Sequence, residues 1–332
     1  MAEASAAVSV MTAARRGFEP AWMIAILVVG LLAPWILPDY LADLALLWLM
    51  VLLALTWDIN GGQMGYNSFG NIFFFGLGVY ACAVFQREAD LGYLTELLLG
   101  MGLGGLVAMA AAAVLGPALL GMRGHYFSIA TLGIAFAAAD VFSGWEYVGA
   151  ASGLSTPLYP GDIQTRSRFF YFILFALAVL TFLVLRWLYS RRFGLIINAI
   201  RDDEDKAEAM GIRTTRYKVL AWCVAALFLG LAGGPVANLI GFIDPRDLAF
   251  AGDTYGVWMI FMAILGGRGT LWGPVVGAVI FHVTQQVFWI YLLGWQRVAM
   301  GLMIVLIVVF FPRGILGRWT GRKGTRLEGG TQ

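Results

Sequence analysis

Three polar side chains lie beside a glycine-rich segment inside an otherwise apolar stretch of the chain. Asn67, Ser68 and Asn71 follow the sequence Gly61-Gly62-Gln63-Met64-Gly65. Amide and hydroxyl groups are costly against lipid, so we expect them to face the interior of a helix bundle. There they could bind a small polar solute weakly along a path, or hydrogen-bond between closely packed helices. The residue types leave both interpretations open.

A second glycine-rich segment, Gly266-Gly267-Arg268-Gly269, interrupts a later apolar run. Non-helical backbone at membrane depth is tolerated only where it lines water or is buried in protein. We call residues 61–65 the first break and residues 266–269 the second break. The predicted path residues are Gly61, Gly62, Asn67, Ser68, Asn71, Gly266 and Gly267.

The largest charged stretch between apolar runs is residues 191–218, which we call the charged segment. It holds seven of the 22 Lys and Arg residues and five of the 20 Asp and Glu residues. Asp202 is a suitable N-cap, with support from Lys206 four residues later. Gly211 is a suitable end, where we expect a left-handed backbone. The pattern predicts a short solvated helix over residues 203–210. An ordinary basic loop is the alternative.

The composition indicates an integral membrane protein. Of 332 residues, 60% are hydrophobic and 13% are charged, and the mean hydropathy is +0.80. Soluble domains carry about 25% charged residues. The net charge is only +2, and the basic residues cluster beside apolar runs. This distribution indicates membrane topology and gives no reason to expect nucleic-acid binding.

The chain lacks three common motifs of catalysis and nucleotide binding. HExxH, GxSxG and G-x-x-x-x-G-K-[ST] are all missing from the sequence, and His125 and His282 are far apart. Cys82 and Cys223 lie within apolar runs, where they suit core positions. We therefore expect no catalytic residue, no metal site and no cofactor, so the chain is not expected to be an enzyme. If ATP is used, another chain must bind it.

The apolar runs predict an all-α, polytopic transmembrane bundle with broken helices at the two breaks. A span needs about 20 mainly apolar residues. Ten segments fit, although eight remain possible: residues 20–38, 41–57, 66–86, 94–120, 125–142, 169–189, 219–243, 254–265, 272–293 and 298–312. They form one permease domain over residues 20–312.

Basic residues predict the orientation. The arm (residues 1–19), the charged segment and the tail (residues 313–332) carry two, seven and five of them. The positive-inside rule places all three in the cytoplasm, which requires an even number of crossings before and after the charged segment. Residues 144–168 and 244–247 then lie outside.

At this point the motifs resemble a known family. The strongest are FGLIINAIRDDEDKAEAMGIRTTRYK, LAGGPVANLIGFIDP, ILGGRGTLWGPVVGA and FPRGIL, with INGGQMGYNSFGNIFFFGLGVYA and LGMRGHYFSIATLGIAFA as weaker matches. In this order, from Trp57 to Leu316, they resemble the LivM-type permease subunits of branched-chain amino-acid ABC importers.

The resemblance implies partners and a role for the charged segment. In that family a LivH-type permease completes a heterodimer in the bacterial inner membrane. Two cytoplasmic ATPases and a periplasmic substrate-binding protein complete the importer. The charged segment would dock in an ATPase, through Asp203, Glu204, Asp205, Glu208, Ala209 and Gly211.

The substrate stays open at this stage. A branched-chain or related amino acid is the expected cargo, with urea, short amides and small organic acids as alternatives. A self-contained secondary transporter is the rival class, but it would need buried carboxylates, which the central apolar runs lack. We expect the binding protein to choose the substrate and residues 144–168, through Arg166 and Arg168, to contact it.

Overall fold

The computed structural model of the protein describes residues 23, 24, 26–292, 294–310, 314 and 315. Helices follow the apolar runs, because a helix satisfies its backbone hydrogen bonds internally. The helices are α1 (Ile26–Ile36), α2 (Leu41–Asp58), α3 (Ile72–Glu88), α4 (Tyr93–Leu119), α5 (His125–Gly144), α6 (Ile163–Tyr189), α7 (Arg192–Asp202), α8 (Glu204–Ala209), α9 (Thr214–Ile240), α10 (Val257–Gly266), α11 (Trp272–Tyr291) and α12 (Gln296–Phe310). The predicted arm, and the tail apart from residues 314 and 315, lie outside the described residues.

Helix length and composition confirm a polytopic helical bundle. Within the described chain, 7 helical segments are long and apolar enough to cross a membrane: Pro38–Gln63, Tyr93–Leu119, His125–Gly144, Ile163–Tyr189, Thr214–Ile240, Pro245–Gly266 and Trp272–Tyr291. Three shorter helices, α1, α3 and α12, accompany them. Six of these ten helices precede the charged segment and four follow it. The exact number of crossings stays a prediction.

Three predicted helix starts are wrong by five or six residues, those of α3, α6 and α9, the last expected from residue 219 but beginning at Thr214. The third span was expected from residue 66, but α3 begins at Ile72, because Gly65 has a φ of +82° and the chain turns there before becoming helical. The sixth span was expected from residue 169, but α6 begins at Ile163, because Asp162 accepts a hydrogen bond from the Thr165 backbone N–H at 3.3 Å. Arg166 and Arg168 therefore lie in α6 rather than in a loop.

The helix α9 lies at the centre of the bundle. In its most apolar window 72% of the residues are buried, against 22% in α5. It packs against α3 and α4 through Gly78, Gly104 and Gly230, which we call the glycine core. A Cβ at Gly78 would overlap the Gly230 carbonyl, and a Cβ at Gly230 would overlap the Gly104 carbonyl. The three backbones touch because none of these residues has a side chain.

A short ribbon joins two connections at the end of the bundle opposite the charged segment. The strand β1 (Leu154–Ser155) pairs antiparallel with β2 (Phe242–Ile243). Nearby, Arg246 and Asp140 form an exposed ion pair at 2.7 Å. The ribbon ties the connection between α5 and α6 to the one that follows α9.

Candidate coupling site beside the charged segment

The charged segment folds into two helices, α7 and α8. In α7, Gly194, Ile197 and Ile200 are buried against the bundle, while Leu195 is exposed. Asp203 separates the two helices, and its carboxylate accepts a hydrogen bond from the Lys206 backbone N–H at 3.0 Å. The prediction of Asp202 as the N-cap is wrong by one residue, since Asp202 ends α7 and pairs with Arg201.

The C-terminal end of α8 is capped by glycine. Gly211 has a φ of +85°, a left-handed conformation that suits glycine. Its N–H donates to the Glu208 carbonyl at 2.8 Å, and the Ile212 N–H donates to the Ala207 carbonyl at 3.1 Å. This is the Schellman arrangement. The prediction of a left-handed Gly211 at the end of the helix is confirmed.

A buried lysine connects α8 to the bundle. Lys218, in the first turns of α9, is 2% exposed. Its Nζ donates to Glu204 Oε1 at 2.7 Å, to the Tyr66 hydroxyl at 2.9 Å and to the Leu120 carbonyl at 2.6 Å. The Tyr66 hydroxyl donates to Glu204 Oε2 at 2.5 Å. We call Tyr66, Glu204 and Lys218 the lysine joint.

The surroundings of the lysine joint keep Glu204 ionised. Burial by itself raises the pKa of Glu204, but the hydrogen bonds from Lys218 and Tyr66, and the positive charges of Lys218 and Arg123, hold it below its usual value. Burial raises the pKa of Tyr66, and its hydrogen bond to the Glu204 carboxylate raises it further. The joint is therefore a carboxylate that accepts bonds from an ammonium and a neutral phenol.

The two breaks lie against each other beside α7. Asp58, 2% exposed at the end of α2, accepts a hydrogen bond from the Gly269 N–H at 2.7 Å. A Cβ at Gly62 would overlap Asp58 Oδ1 and lie 2.5 Å from the Gly269 nitrogen. A Cβ at Gly65 would lie 3.0 Å from Cγ of Arg201, and one at Gly269 would lie 3.6 Å from its Nη1. Arg201 of α7 therefore contacts both breaks.

Ser68 and Asn71, two predicted path residues, make hydrogen bonds between segments. Both are buried. The Ser68 carbonyl accepts from Trp57 Nε1 at 2.7 Å, and Asn71 Oδ1 accepts from Trp222 Nε1 at 3.3 Å. Asn67 is exposed, and its carbonyl accepts from the Ser128 hydroxyl at 2.7 Å. The bond from Trp222 favours the packing interpretation for the Asn71 side chain, and the Ser68 hydroxyl accepts from the nearby Gly70 N–H at 3.3 Å. The Asn67 side chain lies at a surface.

The predicted path glycines are buried at close backbone contacts. Gly61 packs against the Trp57 ring, and Gly62 against Asp58 and the second break. A Cβ at Gly266 would overlap the Gly273 carbonyl of α11. Gly267 has a φ of +123° and lies beside Gly314. The structure thus brings the two breaks together, while their role in a path stays a prediction.

The predicted coupling residues divide into two groups. Asp205, Glu208, Ala209 and Gly211 are exposed, and Asp203 is partly exposed. Glu204 instead points into the bundle, with a side chain only 12% exposed. Met210, between Ala209 and Gly211, is 72% exposed. The exposed surface of α8 and its C-terminal turn is therefore short and partly apolar, with acidic side chains at its edge.

Sequence reasoning did not single out Tyr66 or Lys218. A signal was present, because Lys218 shares a helical face with Thr214, Ala221, Trp222 and Ala225, all of which are buried. An amide pair was also missed: Asn238 Nδ2 donates to Gln86 Oε1 at 2.8 Å between α9 and α3. In the described part of the chain, no group of three or more His, Cys, Asp and Glu residues is placed to hold a metal ion.

The family assignment rests on most of the chain. The family described as the branched-chain amino acid transport system permease component matches residues 40–310. The chain belongs to this family. The high-affinity branched-chain amino acid transport permease LivM of Salmonella typhimurium is 26% identical to this permease over 323 residues, which cover 89% of this chain and 74% of LivM.

Two more distant relatives match smaller parts of this permease. LivH of Salmonella typhimurium is 27% identical over 180 residues, 54% of each chain. The fructose import permease FrcC of Rhizobium meliloti is 28% identical over 143 residues, 40% of this chain and 39% of FrcC. No solved structure matches the chain. The chain is thus a multi-pass membrane permease of the branched-chain amino acid ABC transport family.

Proposed function

We propose that this permease is one of two membrane subunits of a bacterial ABC importer. It carries a branched-chain or related amino acid across the inner membrane, with its N- and C-termini in the cytoplasm. A LivH-type permease forms the other half, two cytoplasmic ATPases hydrolyse ATP, and a periplasmic binding protein delivers the substrate. Lipid covers the exposed apolar surfaces of α4 and α5, such as Leu98, Leu106 and Ile129.

The observation that supports this proposal most strongly is that α8 is capped at both ends and anchored to the bundle. A six-residue helix is too short to be stable by itself, yet Asp203 caps one end, Gly211 caps the other, and Glu204 anchors it to the bundle. Such a pre-ordered projection loses little entropy when a partner binds. Its exposed Ala209, Met210 and Gly211 suit insertion into a groove on an ATPase.

The test uses the reconstituted importer, with two permeases, two ATPases and the binding protein. Proteoliposomes that contain both permeases and both ATPases are expected to take up leucine only with ATP inside and binding protein outside. Uptake that ignores ATP and stops with a protonophore would establish a secondary transporter instead. Urea, short amides, small organic acids and, given the similarity to FrcC, fructose serve as competing solutes in the same assay.

Substrate choice is proposed to lie mainly in the binding protein. The buried Ser68 hydroxyl accepts from the Gly70 N–H and Asn71 Oδ1 accepts from Trp222, which leaves Asn67 as the more accessible polar group for a coarse filter. Exchanging the binding protein for a docking-competent relative should change the transported solute. Replacing Asn67, Ser68 and Asn71 with alanine should not. The reverse result would place selectivity in the membrane subunits.

A further inference from the structure

Glu204 differs from its neighbours in α8 in the direction of its side chain. That side chain is 12% exposed, whereas the side chain of Asp205 is 76% exposed. Both carboxylate oxygens are bound inside, Oε1 by Lys218 and Oε2 by Tyr66. A residue held in this way faces the bundle and not a docked partner.

Lys218 joins separate parts of the chain at one point. Its three acceptors belong to α8 (Glu204), to the chain after the first break (Tyr66) and to the residue that follows α4 (Leu120). An ammonium group has three N–H donors, so this set saturates it. The lysine joint therefore connects α8, α4, α9 and the first break.

Removal of one partner from such a joint leaves a buried charge without its counterion, which is strongly unfavourable. The partners are thus expected to move together. Tyr66 lies directly after Gly65 of the first break, and its N–H donates to the Asn60 carbonyl at 2.9 Å. A displacement of α8 that keeps the joint intact must therefore also displace the chain at the first break.

We propose that Tyr66, Glu204 and Lys218 are positioning residues that transmit displacement of α8 to the first break. The inference rests on the proposed function, in which an ATPase binds α8 and moves it. Glu204 acts here as the inner end of the coupling helix, while Ala209, Met210 and Gly211 form its outer surface. The joint does not touch the solute and acts through the break.

The test measures leucine uptake and ATP hydrolysis on the same proteoliposomes of the complete importer. Glu204→Gln removes the carboxylate charge that pairs with Lys218, and Tyr66→Phe removes a hydroxyl that makes two hydrogen bonds. Both substitutions keep the side-chain shape. We expect both variants to assemble with the ATPases and to hydrolyse ATP, while uptake per ATP hydrolysed falls about tenfold. The double variant should lose little more than either single variant, because both act on one joint.

Matched controls come from buried groups far from α8. Glu96→Gln changes a buried carboxylate that accepts the Leu91 and Gly92 N–H groups, and Tyr171→Phe removes a hydroxyl that donates to the Gly30 carbonyl. Both should keep the wild-type uptake per ATP. A general loss of folding would lower uptake and hydrolysis in parallel, and this result in Tyr66→Phe would reduce the joint to a structural support.

Failure of the proposed function and failure of this inference alone would give different results. A wild-type importer without ATP-dependent uptake would overturn the proposed function and this inference with it. A wild-type importer that transports leucine, with Glu204→Gln and Tyr66→Phe at the wild-type uptake per ATP, would overturn this inference alone.

Discussion

Glycine has different structural roles in the glycine core and at the two breaks. In the core, Gly78, Gly104 and Gly230 are helical and let three backbones touch. At the breaks, Gly65, Gly267 and Gly269 have positive φ values and let the chain turn. In the core, glycine is needed because it has no side chain. At the breaks, it is needed because it readily adopts a positive φ. The comparison shows that the 42 glycines of this chain are not equivalent, although the sequence presents them alike.

The largest expected effect comes from the glycine core. Gly78→Val places methyl groups against the Gly230 backbone, which cannot rotate away as a side chain can. Overpacking typically costs about 1–3 kcal/mol and occasionally more, and a rigid backbone neighbour puts this site at the upper end. We expect loss of monodisperse protein in size-exclusion chromatography after detergent extraction. Gly102→Val in α4 is the control, since nothing lies within 4 Å of its Cβ position. Equal yields of the two variants would contradict the proposed backbone packing.

The contact between the breaks should give the next largest effect. Gly62→Ala directs a Cβ into Asp58 Oδ1 and the Gly269 nitrogen, so the hydrogen bond between these two residues cannot form as it stands. Leaving a buried donor or acceptor without its partner costs about 1–3 kcal/mol. We expect the protein to insert and purify, but with strongly reduced uptake. Unchanged uptake would mean that the breaks need not touch during transport; Gly102→Ala again serves as the control.

A smaller effect is expected from Gly211→Val. Nothing lies within 4 Å of the Cβ position, so the left-handed backbone is the sole source of strain. That strain is about 1–2 kcal/mol. ATPase binding or stimulated ATP turnover should fall several-fold while the bundle keeps its melting temperature. Gly211→Asn should retain more activity, because asparagine tolerates this conformation better. Equal ATPase binding and ATP turnover in the valine and asparagine variants would contradict the role assigned to the left-handed backbone at Gly211.

The smallest effect is expected at Asp203. Its pKa is lowered by hydrogen bonds from the Lys206 side chain and backbone N–H. Asp203→Ala should speed hydrogen exchange in α8, and Asp203→Asn should largely preserve protection, because asparagine also caps helices.

The pH dependence of this cap follows from the direction of the shift. A carboxyl group with a lowered folded pKa stabilises the structure above its unfolded pKa and loses that effect as the pH falls through the folded value. Protection in α8 should therefore be constant from about pH 5 to pH 9 and decline below about pH 4. Loss of protection between pH 6 and pH 8 would point to a different titrating group.

Continuous apolar runs with clear turns were predicted well. Residues 94–120 and 125–142 correspond to α4 (Tyr93–Leu119) and α5 (His125–Gly144). The starts of α3 and α6 were predicted wrongly, because a hydropathy run shows where apolar residues lie and does not show where the backbone becomes helical. Asp162 begins α6 among polar residues, and Gly65 delays α3 inside an apolar run.

The site was predicted in parts but not in its assembly. The charged segment, the breaks and the left-handed Gly211 follow from residue types. The bond from Gly269 to Asp58 joins residues 211 positions apart, and that from Lys218 to Tyr66 joins residues 152 apart. Nothing in the local pattern pairs such residues. Ser68 and Asn71 were predicted as path residues because they are polar. The structure adds that Asn71 Oδ1 accepts from Trp222 and the Ser68 hydroxyl from the Gly70 N–H, while their role in a path stays a prediction.

The central position of α9 has a consequence for biosynthesis. Chains emerge from the ribosome N-terminus first, so α3 and α4 enter the membrane well before α9. Until then Gly78 and Gly104 lack Gly230, and Leu120 and Tyr66 lack Lys218. The glycine core, the lysine joint and the β1–β2 ribbon can therefore form only after α9 has been made. A nascent chain that stalls before residue 240 would leave these surfaces open to quality-control proteases.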